Sequence, residues 1–363
     1  LLPLQTLPAT FASSDVRSLG YFIPIPAEKR EAPASACSSA SAARKLLMAA
    51  PAAADAAPAP AAAGSMKCIH CSALGGDLDE VLTMAEAPKP SADLLKGGKA
   101  MIVKVEACSL SYGDSMMLKG SCDLMMNPKL PCIPGMDLCG VVEQIEEGSC
   151  KFKVGDRIMA TNGMMPIGGL AEYAAVQTKF SGKAPPGVSP TEAAALPNSP
   201  ATAAGAVKAA RLKEGDRVMV LGGAGGVGSS LLQLVKDAKA SFLATTSTAE
   251  ELCLSLGADA VIDYRKTNWC EDERFKAEPF DVVIDCVGAG DEWKAAYSMG
   301  VLKSGWNGGR FISVGADDPQ IHTVWQVVKM IVPDLWRSGW TCINRLRPRY
   351  KMVISEPTGK DLD

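Results

Sequence analysis

The chain has 363 residues, 47% hydrophobic and 21% charged, enough for two to three domains with buried cores. Its 37 basic and 40 acidic residues give a net charge of −3, which excludes a broad basic face for nucleic acid. The presence of only two histidines, His70 and His322, excludes a His-rich metal site, and twelve cysteines without framework spacing point to free thiols in a reducing compartment.

Residues 1–65 are rich in Ala, Pro and Ser and begin with Leu1, which suggests a processed or incomplete product. From Ala49 to Ala63 there are eleven Ala, three Pro and one Asp. Such a stretch has little to bury and too many prolines to stay helical. It reads as an extended tether or as a retained organellar presequence. Asp15, Glu28, Glu31 and Asp55 count against the second, because transit peptides are poor in acids. Pro51, Asp55, Pro58 and Pro60 interrupt the most apolar part, Leu46–Gly64, so it does not span a membrane.

The composition changes at Met66. Met66–Ala73 and Ala100–Cys108 read as strands, followed by Leu138–Val142, a turn and strand over Phe152–Met159, and Leu170–Val176 after a Gly pair. Short strands punctuated by Gly and Pro predict a small β-rich domain. The pattern then switches. Val218–Leu221 is an unbroken apolar run, and Ser229–Lys239 is helical in period. Ser241–Thr246 and Ala260–Asp263 are strands around the helix Ala249–Leu256, and Phe280–Asp285 and Arg310–Val314 continue the alternation. Strand–helix–strand repetition predicts a doubly wound parallel sheet.

Between the first apolar strand and its helix lies a glycine loop in which Gly223, Gly225 and Gly228 fit G-x-G-x-x-G. The glycines permit a tight turn, close approach of backbone N–H groups to a pyrophosphate, and close packing of helix on strand. Gly223, Ala224, Gly225, Gly226, Val227 and Gly228 are therefore candidate cofactor-binding residues, with the helix N-terminus aimed at the phosphates. NAD sites place an acid about 20 residues on. Here the second strand ends in Thr245, Thr246, Ser247 and Thr248, and no carboxylate follows until Glu250. Thr246 and Ser247 leave room for a ribose 2′-phosphate, which predicts NADPH. Tyr264, Arg265 and Lys266, after the third strand, either close over that phosphate or form a solvated turn.

With these motifs in hand, the chain resembles the medium-chain dehydrogenase/reductase superfamily, and within it the zinc-free quinone oxidoreductase-like branch. The likeness runs from about Met66 to Lys360. It rests on Val103–Asp114 (VKVEACSLSYGD), Ile133–Glu143 (IPGMDLCGVVE), Phe152–Ile158 (FKVGDRI), Gly169–Val176 (GLAEYAAV), Ala194–Pro197 (AALP), Leu221–Gly228 (LGGAGGVG), Leu256–Tyr264 (LGADAVIDY), Phe280–Gly288 (FDVVIDCVG) and Gly309–Gly315 (GRFISVG). The resemblance implies an α/β chain with a GroES-like catalytic domain over 66–197 and a Rossmann domain over 198–363, the active site lying in the cleft between them. Many members of the family are dimers.

Zinc-dependent relatives place a Cys three residues before the aspartate matching Asp114, and a Gly-His-Glu later. Here those positions read Ser111 and Gly135-Met136-Asp137, so no metal is expected. Cys68 and Cys71 form a lone C-x-x-C, read as a packed strand ahead of a metal or redox pair. The resemblance places Ser111, Tyr112, Asp114 and Thr202 against nicotinamide and substrate. Asp114 is alternatively a structural carboxylate, and Tyr112 a packed aromatic.

Two departures stand out. Relatives run on for some tens of residues after a strand like Tyr350–Ser355 and a helix start like Thr358–Leu362, so a chain stopping at Asp363 either ends early or lacks the return to the catalytic domain. Gln320–Trp340 is unusually apolar and is followed by Arg345, Arg347, Arg349 and Lys351. It suggests a buried face, or a homodimer or docking contact with a larger complex together with the N-terminal extension. The expected function is an NADPH-dependent, zinc-free reductase of a quinone or an α,β-unsaturated carbonyl, organellar, with chloroplast ahead of mitochondrion. The alternative is a non-catalytic accessory subunit of an organellar membrane complex that retains the oxidoreductase fold. The intact glycine loop favours the enzyme; the extension, the apolar segment and the early stop favour the subunit.

Overall fold

The structure, a computed structural model, describes residues 2–3, 64–121, 126–146, 148, 150–162, 165–288, 292–304, 308–314, 337, 339 and 348–353. Most of the Ala/Pro-rich extension therefore lies outside the described residues. So do Gln320–Trp340 apart from positions 337 and 339, Arg345, Arg347, and the helix start at Thr358–Leu362. The chain divides into two compact units that part between Asn198 and Ser199.

In the first unit the hub is a long strand. Ile102, Val103 and Val105 are β-branched, and their alternation with Lys104 and Glu106 suits a half-buried strand. The two-residue strand β1 (Leu2–Pro3) pairs antiparallel with β4 (Ala100–Ser109) at Ala107 and Cys108, while β2 (Ser65–Cys71) and β3 (Leu82–Pro88) form a separate hairpin. Strand β4 also pairs antiparallel with β5 (Asp137–Ile145) and β7 (Tyr173–Gln177). Beyond β5 come β6 (Arg157–Thr161) and β8 (Ser181–Lys183). Met101, Val103, Val105, Leu138, Val142, Phe152, Ile158 and Val176 build the core. Full burial of a side chain of that size contributes about 1.5–3 kcal/mol. Gly140 is required where β4 and β5 meet, because a Cβ there would run into the Lys104 carbonyl.

The second unit is built on six parallel strands in the order β11-β10-β9-β12-β13-β14. They are β9 (Arg217–Leu221), β10 (Phe242–Thr246), β11 (Ala260–Ile262), β12 (Val282–Asp285), β13 (Arg310–Ser313) and β14 (Arg349–Met352). The apolar runs are continuous because both faces are covered. Val218, Val220, Val282 and Ile284 face one core, roofed by Ala203, Ala206, Leu231, Leu232 and Val235 from the helices Ser199–Ala210 and Gly226–Asp237. Met219, Leu221 and Val283 face the other, filled by Trp269, Phe275, Phe280, Trp293 and Phe311. The order reverses at β9 and β12, which is where a doubly wound sheet opens a crevice at its strand ends. An antiparallel GroES-like unit followed by a Rossmann-type unit is the fold class the sequence led us to expect.

Candidate functional site

The glycine loop follows directly from β9. Gly222 turns the chain in the left-handed region, at φ +83°. Its N–H donates to Thr246 Oγ1 at 3.0 Å, and the Gly223 N–H donates to the Thr246 carbonyl at 3.1 Å. The tight turn thus falls one residue before the motif, at a glycine that motif matching alone passed over; the Gly222-Gly223 doublet was the available signal. A Cβ on Gly223 would collide with the Thr245 side chain, and one on Gly228 with the Gly222 carbonyl. Gly225 is the N-cap of the helix Gly226–Asp237, without a side-chain cap, and its N–H donates to the Gly222 carbonyl. Ala224 and Val227 tuck their side chains against the second-unit core. The first N–H groups of the helix, at Gly226, Val227 and Gly228, have no acceptor within it and carry the positive end of its dipole. That is a cradle for an anion in which side chains have been kept out.

Thr202 is buried on the helix Ser199–Ala210, which packs against the glycine-loop helix. The two come close at their starts, for a Cβ on Gly226 would lie 2.9 Å from Ser199 Oγ.

At the ends of β10 and β11 the hydroxyls are largely committed to the fold. Thr245 Oγ1 donates to the Val220 carbonyl at 2.7 Å. Thr246 holds the glycine turn. Ser247 is buried, its N–H donates to the Ile262 carbonyl at 2.9 Å, and its Oγ accepts from the Ala249 N–H at 3.0 Å. The same pairing brings the segment after β11, with Tyr264 and Arg265, to the same strand ends as Ser247. Tyr264 is 37% exposed. Arg265 forks onto the Asp263 carboxylate with both contacts at 3.1 Å, and Lys266 Nζ stands 3.5 Å from it. Arg265 bonding first, with its charge and that of Lys266, holds the Asp263 carboxyl at about 2. Asp263 was missed in the sequence because the search for an acid followed the second strand, whereas this one comes from its neighbour. Asp263 thus holds one carboxylate against two cations, and Glu250 and Glu251 begin the helix that follows β10.

In the first unit, Ser111 and Asp114 bind each other. Ser111 is the N-cap of the helix Tyr112–Leu118: its N–H and Oγ donate to Asp114 Oδ2 at 2.8 and 3.0 Å, and its Oγ accepts from the Asp114 N–H at 3.4 Å. Tyr112, next along, is 53% exposed. Asp114 is 2% exposed, and burial raises its carboxyl; the nearby Gly135 and Met136 amides oppose that, without hydrogen-bond geometry at Oδ1. Asp137, also 2% exposed, was not singled out from the sequence. Burial, with the Asp114 charge beside it, raises its carboxyl to about 7 against the pull of hydrogen bonds from Thr161 and Asn198. Oδ1 of each aspartate has no hydrogen-bond partner among the described residues. The buried Cys108 thiol is pushed up by burial and then by these two carboxylates. Met136 is fully buried, its Sδ 3.1 Å from where a Cβ on Gly113 would stand. Ser111 and Met136 thus serve a helix cap and a core. Among the described residues no three His, Cys, Asp or Glu side chains converge as a metal site would require. A buried carboxyl raised to about 7, as at Asp137, changes its protonation near physiological pH.

Comparison with known proteins agrees with this architecture. The alcohol dehydrogenase GroES-like domain matches residues 97–186, and the zinc-binding dehydrogenase domain matches 226–346. The chloroplastic quinone-oxidoreductase homolog of Spinacia oleracea is 32% identical over 231 residues, covering 61% of this chain and 68% of that protein. The chloroplastic NADPH-dependent alkenal/one oxidoreductase of Arabidopsis thaliana is 36% identical over 214 residues, covering 56% of this chain and 53% of that protein, so the chain spans about half the length of that relative. Among solved structures, the quinone oxidoreductase of Pseudomonas syringae pv. Tomato DC3000 superposes with a TM-score of 0.63 at 25% identity, over 82% of this chain and 85% of the other. The fold and the glycine loop define a GroES-like unit followed by a Rossmann-type dinucleotide-binding unit. The chain belongs to the medium-chain dehydrogenase/reductase superfamily, among relatives named quinone oxidoreductases and alkenal reductases.

Proposed function

We propose that the protein is an NADPH-dependent, zinc-free reductase acting on a quinone or an α,β-unsaturated carbonyl. The observation that carries this is the cradle at Gly222–Gly228, where a Cβ on Gly223 or Gly228 would clash and the helix N–H groups are left for a pyrophosphate. The names of the Arabidopsis and spinach relatives support the substrate class, and their chloroplastic designations support an organellar location. Among the described residues no helix is long and apolar enough to cross a membrane.

When bound, the nicotinamide supplies the hydride. The chain's own residues bind and orient. Gly226, Val227 and Gly228 offer N–H groups to the pyrophosphate. Thr246 and Ser247 shape the rim without adding charge, and Arg265 offers its guanidinium to a 2′-phosphate. Tyr112, exposed at its helix start, would face the substrate carbonyl. Positioning is the protein's main contribution to such a transfer.

Titration with both reduced nucleotides tests the cofactor. A charge-assisted hydrogen bond is worth ~1.5–3 kcal/mol, so one from Arg265 should favour NADPH by roughly ten- to a hundred-fold. Asp263 competes for that guanidinium and repels phosphate. Asp263→Asn should therefore widen the preference, and Arg265→Ala should narrow it. Equal affinities for the two nucleotides, or tighter NADH, would overturn the assignment. Elemental analysis checks the metal: no stoichiometric zinc is expected after purification without chelator, and about one per chain would contradict the roles given to Ser111 and Met136.

A further inference from the structure

The C-x-x-C spacing of Cys68 and Cys71 suggests a pair, but β2 separates them. Three residues apart on a strand, they point to opposite faces. Cys68 lies across from Ala171, and Cys71 across from Cys132. The second bridge is a doubly bonded antiparallel pair: the Cys71 N–H donates to the Cys132 carbonyl at 2.8 Å, and the Cys132 N–H to the Cys71 carbonyl at 3.0 Å. Such pairs have Cα atoms ~5.5 Å apart, inside the disulfide range of ~4.4–6.8 Å. Side chains directly opposite on an antiparallel pair project to the same face, so the two thiols are neighbours, and the Cys71 thiol donates to the Ala73 carbonyl at 3.1 Å. Cys71 is buried, whereas Cys132 is partly open to solvent.

We infer that Cys71 and Cys132 are a modification site, a cross-strand thiol pair that a small-molecule disulfide such as oxidised glutathione converts reversibly to a disulfide. Cys132, the more accessible of the two, reacts first. Its thiol loses a proton, its sulfur attacks one sulfur of the oxidant, and the oxidant's S–S bond breaks to release one glutathione, which takes up that proton. The Cys71 thiol then loses its proton and its sulfur displaces the second glutathione from Cys132. Two electrons and two protons pass from the cysteines to two glutathione thiols. A dithiol reverses the sequence.

Two physical features shape the behaviour of the pair. Burial raises both thiols, Cys132 to about 11, so thiolate is scarce at neutral pH and oxidation quickens as pH rises. Bridging a hydrogen-bonded pair also draws the strands inward from their resting spacing, and a strained disulfide is the more easily reduced. The link would tie the hairpin β2–β3 to the segment leading into Met136 and Asp137.

The test uses the full chain incubated with oxidised glutathione at about pH 8, then alkylated, digested and mapped by mass spectrometry. The expected result is a Cys71–Cys132 linked peptide, loss of two hydrogens from the intact mass, and full reversal by dithiothreitol. Cys71→Ser should trap glutathione on Cys132, and Cys68→Ser should leave the link unchanged. A stable glutathione adduct on wild-type Cys132, a link between other cysteines, or no change in mass would each overturn the proposal. The wild-type map alone decides, so the outcome does not depend on the folding of a variant.

Discussion

Asp137→Asn should stabilise the first unit at about pH 8 by up to ~4 kcal/mol, with little gain at about pH 4. The folded carboxyl sits at about 7, raised chiefly by burial, against ~3.9 in an unfolded chain. Between those values the folded state holds a proton that the unfolded state has lost. The stability linked to that proton is complete below the unfolded value and is lost as pH rises through about 7. Three pH units at ~1.36 kcal/mol each set the upper figure. Asparagine keeps an acceptor for the Thr161 hydroxyl and removes the charge that Asp114 repels. Urea unfolding across the pH range should show wild-type midpoints falling from acid to neutral and a flatter profile for the variant. Asp114, raised in the same direction, adds to the remaining slope, and the lowered carboxyls of Asp93, Asp156 and Glu192 oppose it. Parallel profiles would refute the role given to Asp137.

The glycine loop should yield two separable defects. In Gly228→Ala the added methyl meets the Gly222 carbonyl, which has no freedom to move: Gly222 is held at positive φ and bonded to Thr246. Overpacking of that kind costs about 1–3 kcal/mol, and the variant should lose both thermal stability and nucleotide affinity. Gly225→Ala is different. Its φ is −73° and the new Cβ would lie 3.3 Å from the Gly222 carbonyl, a contact that slight relaxation relieves. Here the methyl stands where a pyrophosphate approaches the helix. The melting temperature should stay near wild type while NADPH affinity falls by about ten-fold or more. Equal effects on stability and binding in both variants would remove the distinction between packing glycine and approach glycine.

Legibility in the sequence followed burial. The second unit was readable because strands covered on both faces must be apolar throughout, as Val218–Leu221 and Val282–Ile284 are, and because its glycine loop obeys local rules. The hairpin strand β3 was not read: Leu82–Pro88 has no fully buried residue, and the side chains it turns to the core, Ala85 and Ala87, are too small to give a strong alternation. The buried pair Asp114 and Asp137 was half visible, its residues lying inside noted motifs. Their common burial depends on β5 starting beside β4 and β6, a tertiary fact. The Asp263–Arg265 fork was hidden for a related reason. It is local in sequence, but its bearing on a phosphate arises only when β11 lies against β10. Cys71 and Cys132 are 61 positions apart, and only the fold makes them neighbours.

The reversal of strand order at β9 has a kinetic side. Strands β9, β10 and β11 follow one another and can pair as the chain is made. Strand β12 must return past both to dock on the free edge of β9, which closes a loop of about 60 residues before a single ladder bond forms. Strands β12, β13 and β14 also follow one another and pair directly, so they form the other half of the sheet. The β9–β12 seam is thus the most non-local strand pairing described in the second unit, and its closure is expected to slow folding more than any helix or turn does.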